Sequence, residues 1–223
     1  MLCNLTAVRD NIRNRDGKRV YYLAKGDQLT SDARDYLARE RIEILPASEA
    51  RPQRYRLLSG GYMEDKPEHM THLNAEILVE KTHPRILFRG AVDTLEAELL
   101  LACAAAAGEI RRQLEEALSY TRTLLRNEVL DEQVGVETLG GMDEKALRAR
   151  SHRPQEYYGQ PHFMPSPADG ELLLQVNRAR CAARAAELKA VAAFPEGRED
   201  LLRAFNRLSS FLYLIMIQLK KQV

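Results

Sequence analysis

Apolar residues recur at helical spacing through most of the chain after residue 83, whereas the first 60 residues carry only short runs. A long helical segment is predicted from His83 towards Leu130. A shorter one is centred on MDEKALRAR, a third contains NRARCAARAAE, and the last is EDLLRAFNRLSSFLYLIMIQLKK. About five helices in this arrangement are typical of a helix bundle, so we expect a mainly α fold.

The first 60 residues combine strand and helix patterns. RVYYLA and IEIL predict strands, and LTSDARDYLARERI predicts a helix capped by Thr30 or Ser31. Residues that interrupt regular structure then cluster at Pro46, Pro52, Gly60, Gly61 and Pro67. We therefore divide the chain into a small N-terminal α/β module, residues 1–62, and a helix-bundle domain, residues 63–223.

A long segment without helical pattern, SHRPQEYYGQPHFMPSPADG, separates the second and third helical segments. It contains four prolines, two histidines, two tyrosines and a phenylalanine. A loop of this length within a bundle is usually functional or disordered, and its aromatic residues favour function. His152 and His162 belong to it, and the sequence leaves open an active role or a simple role in a turn for each.

A line of polar residues runs along the third helical segment. It consists of Asn177, Arg180, Arg184 and Glu187. At about 100° per residue this line shares a sector with Leu173, Val176 and Val191, which predicts that it is buried. Buried guanidinium groups must be paired or must hold an anion. Either Arg184 pairs with Glu187 within the helix, or the arginines bind an anion.

Two further helices carry polar residues on apolar stripes. Asp93 aligns with Ile86 and Leu100, and Asn206 aligns with Leu202, Ser210, Tyr213 and Ile217. A buried Asp93 requires a cation, for which Arg180 and Arg184 are candidates. Taken singly, Asp93 could pair with Arg89 and Asn206 could be satisfied by backbone groups. Together, polar groups from three helices indicate a ligand site inside the bundle.

Composition narrows the classes of function. Among 223 residues, 45% are hydrophobic, and 33 Lys and Arg nearly balance 32 Asp and Glu. The chain has no dense basic block, which disfavours nucleic acid or an anionic membrane as a partner. Its apolar runs are too short to span a bilayer, and its three cysteines are far apart. We expect a reduced, cytoplasmic protein without a structural metal site.

Common catalytic motifs are absent from the sequence. It contains no phosphate-binding glycine loop, no dinucleotide fingerprint, no nucleophile elbow and no HExxH. His69 and His72 lie three positions apart, but no Cys, Asp or Glu stands at a spacing that would complete a metal site. Motifs of this kind therefore do not assign the chemistry.

Four segments in order carry a more specific signal: KTHPRILFRGAVDTLEAEL, SHRPQEYY, PADGELLLQVNRARCAARAAEL and FNRLSSFLYLIMI. They resemble the corrinoid adenosyltransferases, chiefly the ethanolamine-utilisation type and more distantly the propanediol-utilisation type. The resemblance covers roughly residues 63–223, and LTSDARDYLARERIEIL extends it towards the N-terminus. It implies a helix bundle that transfers the 5′-deoxyadenosyl group of ATP to cob(I)alamin.

The resemblance also implies roles for particular residues. Arg180, Arg184 and Asp93 match catalytic positions, at which the arginines hold the triphosphate and the aspartate pairs with the first arginine. The implied ATP-binding residues are Lys81, Arg85, Arg180, Arg184, Glu187 and Asn206, together with Thr71 and Asn74. The implied corrinoid-binding residues are Phe163, Met164 and His162, one of which would displace the lower axial ligand of cobalt.

Cofactors and partners follow from the same resemblance. ATP, Mg²⁺ and cobalamin as substrate are implied, as is a homo-oligomer, either a trimer or a dimer, with sites between subunits. A reductase and an adenosylcobalamin-dependent lyase are implied partners, and a bacterial microcompartment is an implied location. The known ethanolamine-utilisation enzymes carry a metal-binding cysteine cluster, which this chain lacks, so a metal-independent variant is implied.

The resemblance and the polar stripes lead to one functional hypothesis. We expect an ATP:cob(I)alamin adenosyltransferase that serves ethanolamine utilisation. The alternative is a non-catalytic scaffold or delivery protein that binds a corrinoid or a nucleotide, in which the polar line of the third helix is structural.

Overall fold

The computed structural model describes residues 1–50, 55–135 and 138–221. Its contacts divide the chain into two compact units, Met1–His83 and Pro84–Val223. Residues 63–80, which we predicted as part of the helix-bundle domain, lie in the first unit. They supply Met63 of one strand and the whole of the next two strands. Pro52, one of the residues used to place the predicted boundary, lies outside the described residues.

The first unit combines a mixed sheet with two helices, in agreement with the predicted α/β character. Its strands are β1 (Leu2–Cys3), β2 (Arg13–Arg15), β3 (Lys18–Leu23), β4 (Gln28–Leu29), β5 (Glu43–Pro46), β6 (Tyr55–Leu57), β7 (Tyr62–Met63), β8 (Met70–His72) and β9 (Ile77–Glu80). Its helices are α1 (Leu5–Asp10) and α2 (Ser31–Arg39). The predicted strands RVYYLA and IEIL are β3 and β5.

The main sheet of the first unit has seven strands in the order β5-β3-β2-β7-β6-β9-β8. Strands β2 and β3 are antiparallel and joined by Asp16 and Gly17, which both have positive φ, 50° and 77°. This two-residue turn matches the twist of adjacent strands, and Asp-Gly suits it because both positions need left-handed backbone. Helices α1 and α2 contribute Val8, Ala33 and Leu37 to the apolar cluster of this unit.

The second unit contains six α-helices among its described residues. They are α3 (Pro84–Ala105), α4 (Gly108–Val129), α5 (Glu144–His152), α6 (Pro154–Tyr158), α7 (Glu171–Ala193) and α8 (Glu199–Lys220). The prediction of a mainly helical bundle is confirmed, and the predicted count of about five helices is not exactly matched by these six. The predicted loop over residues 151–170 contains the short helix α6, which Pro154 starts in the position where a missing N–H costs nothing.

The long segment predicted from His83 towards Leu130 is two helices, α3 and α4. Gly108 interrupts the pattern with a φ of +55°, and Ala107 is the N-terminal cap of α4. Alanine-rich sequence hides this break, because alanine favours helix on both sides of it.

The core of the second unit lies between α3, α4, α7 and α8. Helix α8 supplies many of its buried apolar residues, and Phe205 of α8 packs edge to face with Phe88 of α3 at 5.5 Å between ring centroids. Helix α7 packs between α3 and α8 and contributes four alanines to this core: Ala179, Ala183, Ala186 and Ala190. Small side chains at helical spacing let two helices approach α7 closely.

None of the helices in the described residues is long and apolar enough to cross a membrane.

Candidate functional site

A pocket of about 380 Å³ opens between α5, α7, α8 and the segment of residues 160–166, which we call the strap. Its lining is polar: Ser151, His152, His162, Arg180, Arg184, Ser209, Ser210 and Tyr213. The volume is in the range of small-molecule sites, which is about 300–1,000 Å³. Two arginines and no carboxylate among the described lining residues make it suited to an anion.

The two arginines come from one face of α7, one helical turn apart. Arg180 donates from Nε and Nη2 to Asn177 Oδ1 at 3.1 and 2.9 Å, so its guanidinium is held against its own helix. Arg184 is exposed and makes no hydrogen bond or ion pair with any described residue. Such a side chain keeps its donors available for a bound anion.

The polar line on α7 is not buried as the sequence predicts. Arg180 and Glu187 are half-buried, Arg184 is exposed, and Val191 from the same sector is half-exposed. The buried face is the alanine face, about a quarter-turn away, which leaves the polar line on the flank of the helix. The predicted pair between Arg184 and Glu187 is also not formed among the described residues, because Glu187 binds elsewhere.

Glu187 and Asn206 join α7 to α8. Asn206 Nδ2 donates to Glu187 Oε1 at 2.9 Å, and Asn206 Oδ1 accepts a hydrogen bond from Arg207 Nη2. Both polar ends of the amide are therefore occupied, and its orientation is defined. Of the three helices whose polar groups were predicted to converge, this hydrogen bond joins two, α7 and α8.

Of the three serines in the pocket, the sequence analysis named only Ser210, as a neighbour of Asn206 and not as a site residue. Ser209 and Ser210 follow Asn206 by three and four positions, and both hydroxyls donate to its carbonyl oxygen at 2.9 and 3.2 Å. Their spacing places them beside Asn206 on α8, which is a signal that the sequence contained. Ser151, at the end of α5, carried no such signal, because its position depends on how α5 packs against α8.

His162 lies at the mouth of the pocket and is tied to α8. Its Nδ1 is 3.0 Å from the Tyr213 hydroxyl, and its Nε2 is 3.2 Å from the carbonyl oxygen of His152. A carbonyl only accepts, so we assign the proton to Nε2, and Nδ1 then accepts from the Tyr213 hydroxyl. Both predicted histidines of the long segment thus belong to the pocket.

The other two predicted corrinoid residues differ in exposure. Phe163 is half-buried against the helical core, with its ring 6.1 Å from that of Tyr213. Met164 is 89% exposed. Of the two, Phe163 has the defined position.

Asp93 is exposed on α3, which contradicts the predicted second buried charge. Leu100 of its stripe is exposed with it, as are Ala97 and Ala104 on the same side of the helix. The core face of α3 is formed instead by Phe88, Val92, Leu95 and Leu99. No arginine or lysine among the described residues pairs with Asp93. Apolar residues alone did not identify the core face, because both faces of α3 carry them.

Arg85 lies at the start of α3 and binds the buried carboxylate of Glu128. Its Nε is 2.6 Å from Glu128 Oε1, and Arg89 Nε is 2.7 Å from Oε2. The two arginines together satisfy a side chain with no exposed area. The ATP-binding role of Arg85 stays a prediction. In this structure the side chain pairs with Glu128.

Lys81, Thr71 and Asn74 belong to the first unit. Lys81 Nζ is 3.0 Å from Glu68 Oε1, and the pair is exposed. Thr71 lies in β8. Asn74 Oδ1 accepts from the backbone N–H groups of Glu76 and Ile77 at 3.1 and 3.0 Å, which forms the turn between β8 and β9. Their nucleotide-binding roles stay predictions.

No group of three or more His, Cys, Asp or Glu side chains suited to a metal ion occurs in the part of the chain that the structure describes.

Comparison with known proteins gives consistent matches. The family model described as cobalamin adenosyltransferase matches residues 61–219. The corrinoid adenosyltransferase EutT of Salmonella typhimurium is 28% identical over 240 aligned positions, which cover 95% of this chain and 90% of EutT. EutT of Escherichia coli K12 is 30% identical over 79% of this chain and 68% of its own length.

The propanediol-type relatives are more distant. The corrinoid adenosyltransferase PduO of Salmonella typhimurium is 33% identical over 60% of this chain and 42% of PduO. A solved structure of a variant PduO-type ATP:corrinoid adenosyltransferase from Lactobacillus reuteri, complexed with cobalamin and ATP, aligns with a TM-score of 0.53. That alignment covers 70% of this chain and 91% of the other at 18% identity, so it supports the fold alone.

Proposed function

The chain belongs to the cobalamin adenosyltransferase family, and we propose that it transfers the 5′-deoxyadenosyl group of ATP to the cobalt of cob(I)alamin. In this reaction a cobalt–carbon bond forms at C5′, and the C5′–O bond breaks. The electron pair of the broken bond leaves with the triphosphate. Because cobalt(I) is itself a strong nucleophile, the protein has no attacking group to activate.

The observation that carries the proposal is the pair of arginines in the polar pocket. The chemical step concentrates negative charge on the departing triphosphate, and we assign Arg180 and Arg184, which both line the pocket, to bind it. Arginines that are already oriented stabilise this charge without reorganisation. Arg180 is oriented by Asn177, and the hydroxyls of Ser209 and Ser210 add short polar groups to the same wall.

Asn206 and Glu187 lie next to the arginines along α7 and α8, and we assign them to the nucleoside side of the site. Their mutual hydrogen bond at 2.9 Å holds both side chains in a defined place. Arg207 completes this arrangement by binding Asn206 Oδ1. A pre-oriented amide binds a nucleotide with little loss of conformational entropy.

Mg²⁺ is the expected companion of ATP in this reaction. The described lining residues of the pocket include no carboxylate, so phosphate oxygens and water would supply most of its ligands. When bound, the ion would neutralise part of the charge on the triphosphate.

We assign the corrinoid to the side of the pocket formed by the strap. Phe163, stacked near Tyr213, is the apolar side chain that we assign to the lower face of the corrin ring. Displacing the lower axial ligand there would make cobalt(II) easier to reduce to cobalt(I). His162 and Met164 flank Phe163 and stay secondary candidates.

Self-association would complete the site. The face of α3 opposite the core is exposed and combines apolar with small residues: Leu87, Gly90, Ala97, Leu100, Leu101 and Ala104. Asp93 lies within this face, without a described partner. We infer that a second copy covers it and provides an arginine for Asp93. Such patches on soluble proteins mark interaction sites.

The EutT relatives support a role in ethanolamine utilisation, for which the product would serve an adenosylcobalamin-dependent lyase. The reductase, the lyase and the location in a microcompartment remain predictions from this relationship.

An anaerobic assay tests the proposed reaction. Chemically reduced cob(I)alamin, MgATP and chelator-treated protein should give the absorbance change of adenosylcobalamin formation. Conversion without added transition metal would also support the metal-independent variant. If cob(I)alamin persists with and without added Fe²⁺ or Zn²⁺, the transferase proposal fails, and a protein that still binds ATP or cobalamin would fit the scaffold alternative.

A further inference from the structure

The strap is fastened to α8 at two points. The first is Tyr213, whose hydroxyl accepts from the backbone N–H of Phe163 at 3.4 Å and lies 3.0 Å from His162 Nδ1. The Tyr213 ring also stacks on His162, with 5.7 Å between centroids and 14° between planes. The N-terminal half of the strap is thereby held beside the arginine pocket.

The second point is Lys220, two helical turns further along α8. Its Nζ forms an ion pair with Asp169, whose side chain is almost completely buried. The other oxygen of Asp169 accepts from the backbone N–H of Ser166 at 2.7 Å, at the end of the strap. Lys220 holds the pKa of the Asp169 carboxyl below its usual value, and the hydrogen bond from Ser166 acts in the same direction.

Phe163 lies between these two points. The Lys220 Nζ is 5.7 Å from the centroid of the Phe163 ring, and the centroid of the Tyr213 ring is 6.1 Å from the same point. Seven positions separate Tyr213 from Lys220, so both project from nearly the same face of α8 about 10 Å apart. The strap backbone is therefore held at Phe163 by Tyr213 and at Ser166 by the buried carboxylate of Asp169.

We propose that Lys220 and Asp169 are positioning residues for the corrinoid, because their ion pair fixes the place of Phe163. Neither residue lines the arginine pocket, so neither is expected to bind ATP. The inference rests on the proposed function and deepens it. It assigns the position of Phe163 in the corrinoid site to an ion pair that lies outside the arginine pocket. Loss of the pair therefore impairs corrinoid recognition selectively.

The test compares Lys220→Met and Asp169→Asn with wild type. Each removes the charge and keeps most of the volume, so the strap loses its ion pair without a cavity. We expect a roughly tenfold rise in the KM for cob(I)alamin, the loss expected for about 1.4 kcal/mol, and a KM for ATP that stays within about twofold. With cob(II)alamin and MgATP, electron paramagnetic resonance should show a smaller fraction of four-coordinate cobalt(II), the form that has lost its lower axial ligand.

Two control variants make the result specific. Arg178→Met removes an ion pair with Glu98, at 2.6 Å, between α7 and α3 and outside the pocket, and should leave both KM values and the spectrum unchanged. Lys220→Arg keeps the positive charge and should retain most of the wild-type behaviour. Hydrogen exchange at the Ser166 amide should quicken in Lys220→Met but not in Arg178→Met.

The outcomes separate this inference from the proposed function. If wild type converts cob(I)alamin but Lys220→Met matches Arg178→Met in both KM values and in the spectrum, the positioning role is wrong and the transferase stands. Equal rises in both KM values with a lowered melting temperature would show a purely structural pair and also overturn it. If wild type itself makes no adenosylcobalamin, the proposed function fails first and the inference fails with it.

Discussion

At the scale of single residues, the arginines of α7 differ mainly in their surroundings. Arg178 points away from the pocket and pairs with Glu98, Arg180 is anchored by Asn177, and Arg184 is exposed without a described partner. The three arginines therefore have different contacts, because each projects from α7 in a different direction and reaches different groups.

Replacing Arg180 by alanine should lower kcat by about 100-fold to 1,000-fold, the usual loss when one donor to developing negative charge is removed. The melting temperature should change little, since Arg180 is only half-buried. Steady-state kinetics with cob(I)alamin and MgATP measure the effect, and Arg178→Ala on the same helix is the control. A variant that retained wild-type turnover would count against the assignment of Arg180.

Acid should weaken the bond between Asp169 and Lys220. Lys220 lowers the pKa of Asp169 in the folded protein. The ion pair therefore contributes its full free energy of stabilisation at pH values above the pKa of Asp169 in the unfolded chain, about 3.9. That contribution is lost as the pH falls through the lower, folded pKa. Urea unfolding of wild type and Asp169→Asn should give a difference in unfolding free energy that is constant near neutrality and shrinks below about pH 4. A constant difference down to pH 3 would contradict the assigned cause.

At the scale of elements, the break between α3 and α4 shows how one residue separates two helices. The alanines from Ala104 to Ala107 favour helix, yet α3 ends at Ala105 and the chain turns at Gly108. With a φ of +55°, Gly108 adopts a conformation that other residues reach only with strain. The turn lets α4 pack back against α3, which a continuous helix would prevent.

Substituting Gly108 by alanine should therefore destabilise the second unit by about 1 kcal/mol through backbone strain alone. Space is not the cause, because a Cβ at this position would meet no atom within 4 Å. Gly108→Asn is the matched variant and should lose less stability than Gly108→Ala, since asparagine adopts left-handed backbone more readily than alanine. Denaturant unfolding compares the two, and an alanine variant as stable as wild type would show that the turn carries no strain.

At the scale of the whole molecule, the exposed face of α3 leaves large apolar side chains in contact with solvent. Leu101 is 53% exposed and Leu100 is 48% exposed, beside the small residues Ala97 and Ala104. Exposed apolar area of this kind gains about 25 cal/mol for each Å² removed from water. A second copy of the chain would gain this free energy and could also neutralise Asp93.

Introducing a charge into this face tests the proposed self-association. Leu101→Glu should shift the mass measured by light scattering towards the monomer and reduce turnover, because the incomplete site would lack its second copy. Leu58→Glu, an equally exposed leucine of the first unit, should leave the mass unchanged. If wild type is itself monomeric while fully active, the interface proposal is wrong.

The sequence by itself determined the helical nature of the second unit, the strands β3 and β5, and the family. These rest on local information: alternating or helical spacing of large apolar residues, and four ordered segments that match a known pattern. Spacing along α7 and α8 also made Asn206 and the α7 arginines candidates for one site, and that assignment stays a prediction.

Only the tertiary structure decided which faces are buried and which distant residues meet. Leu173 and Val176 begin the core face of α7, which continues as four alanines. The small apolar area of alanine gives little signal, so the exposed Val191 drew the predicted stripe towards the polar flank. The partners of Lys220 and Tyr213 lie about 50 positions away and depend on how the strap docks on α8. Spacing along a chain reports the geometry of one element, whereas contacts between elements follow from packing, and the strap is held against α8 by such contacts.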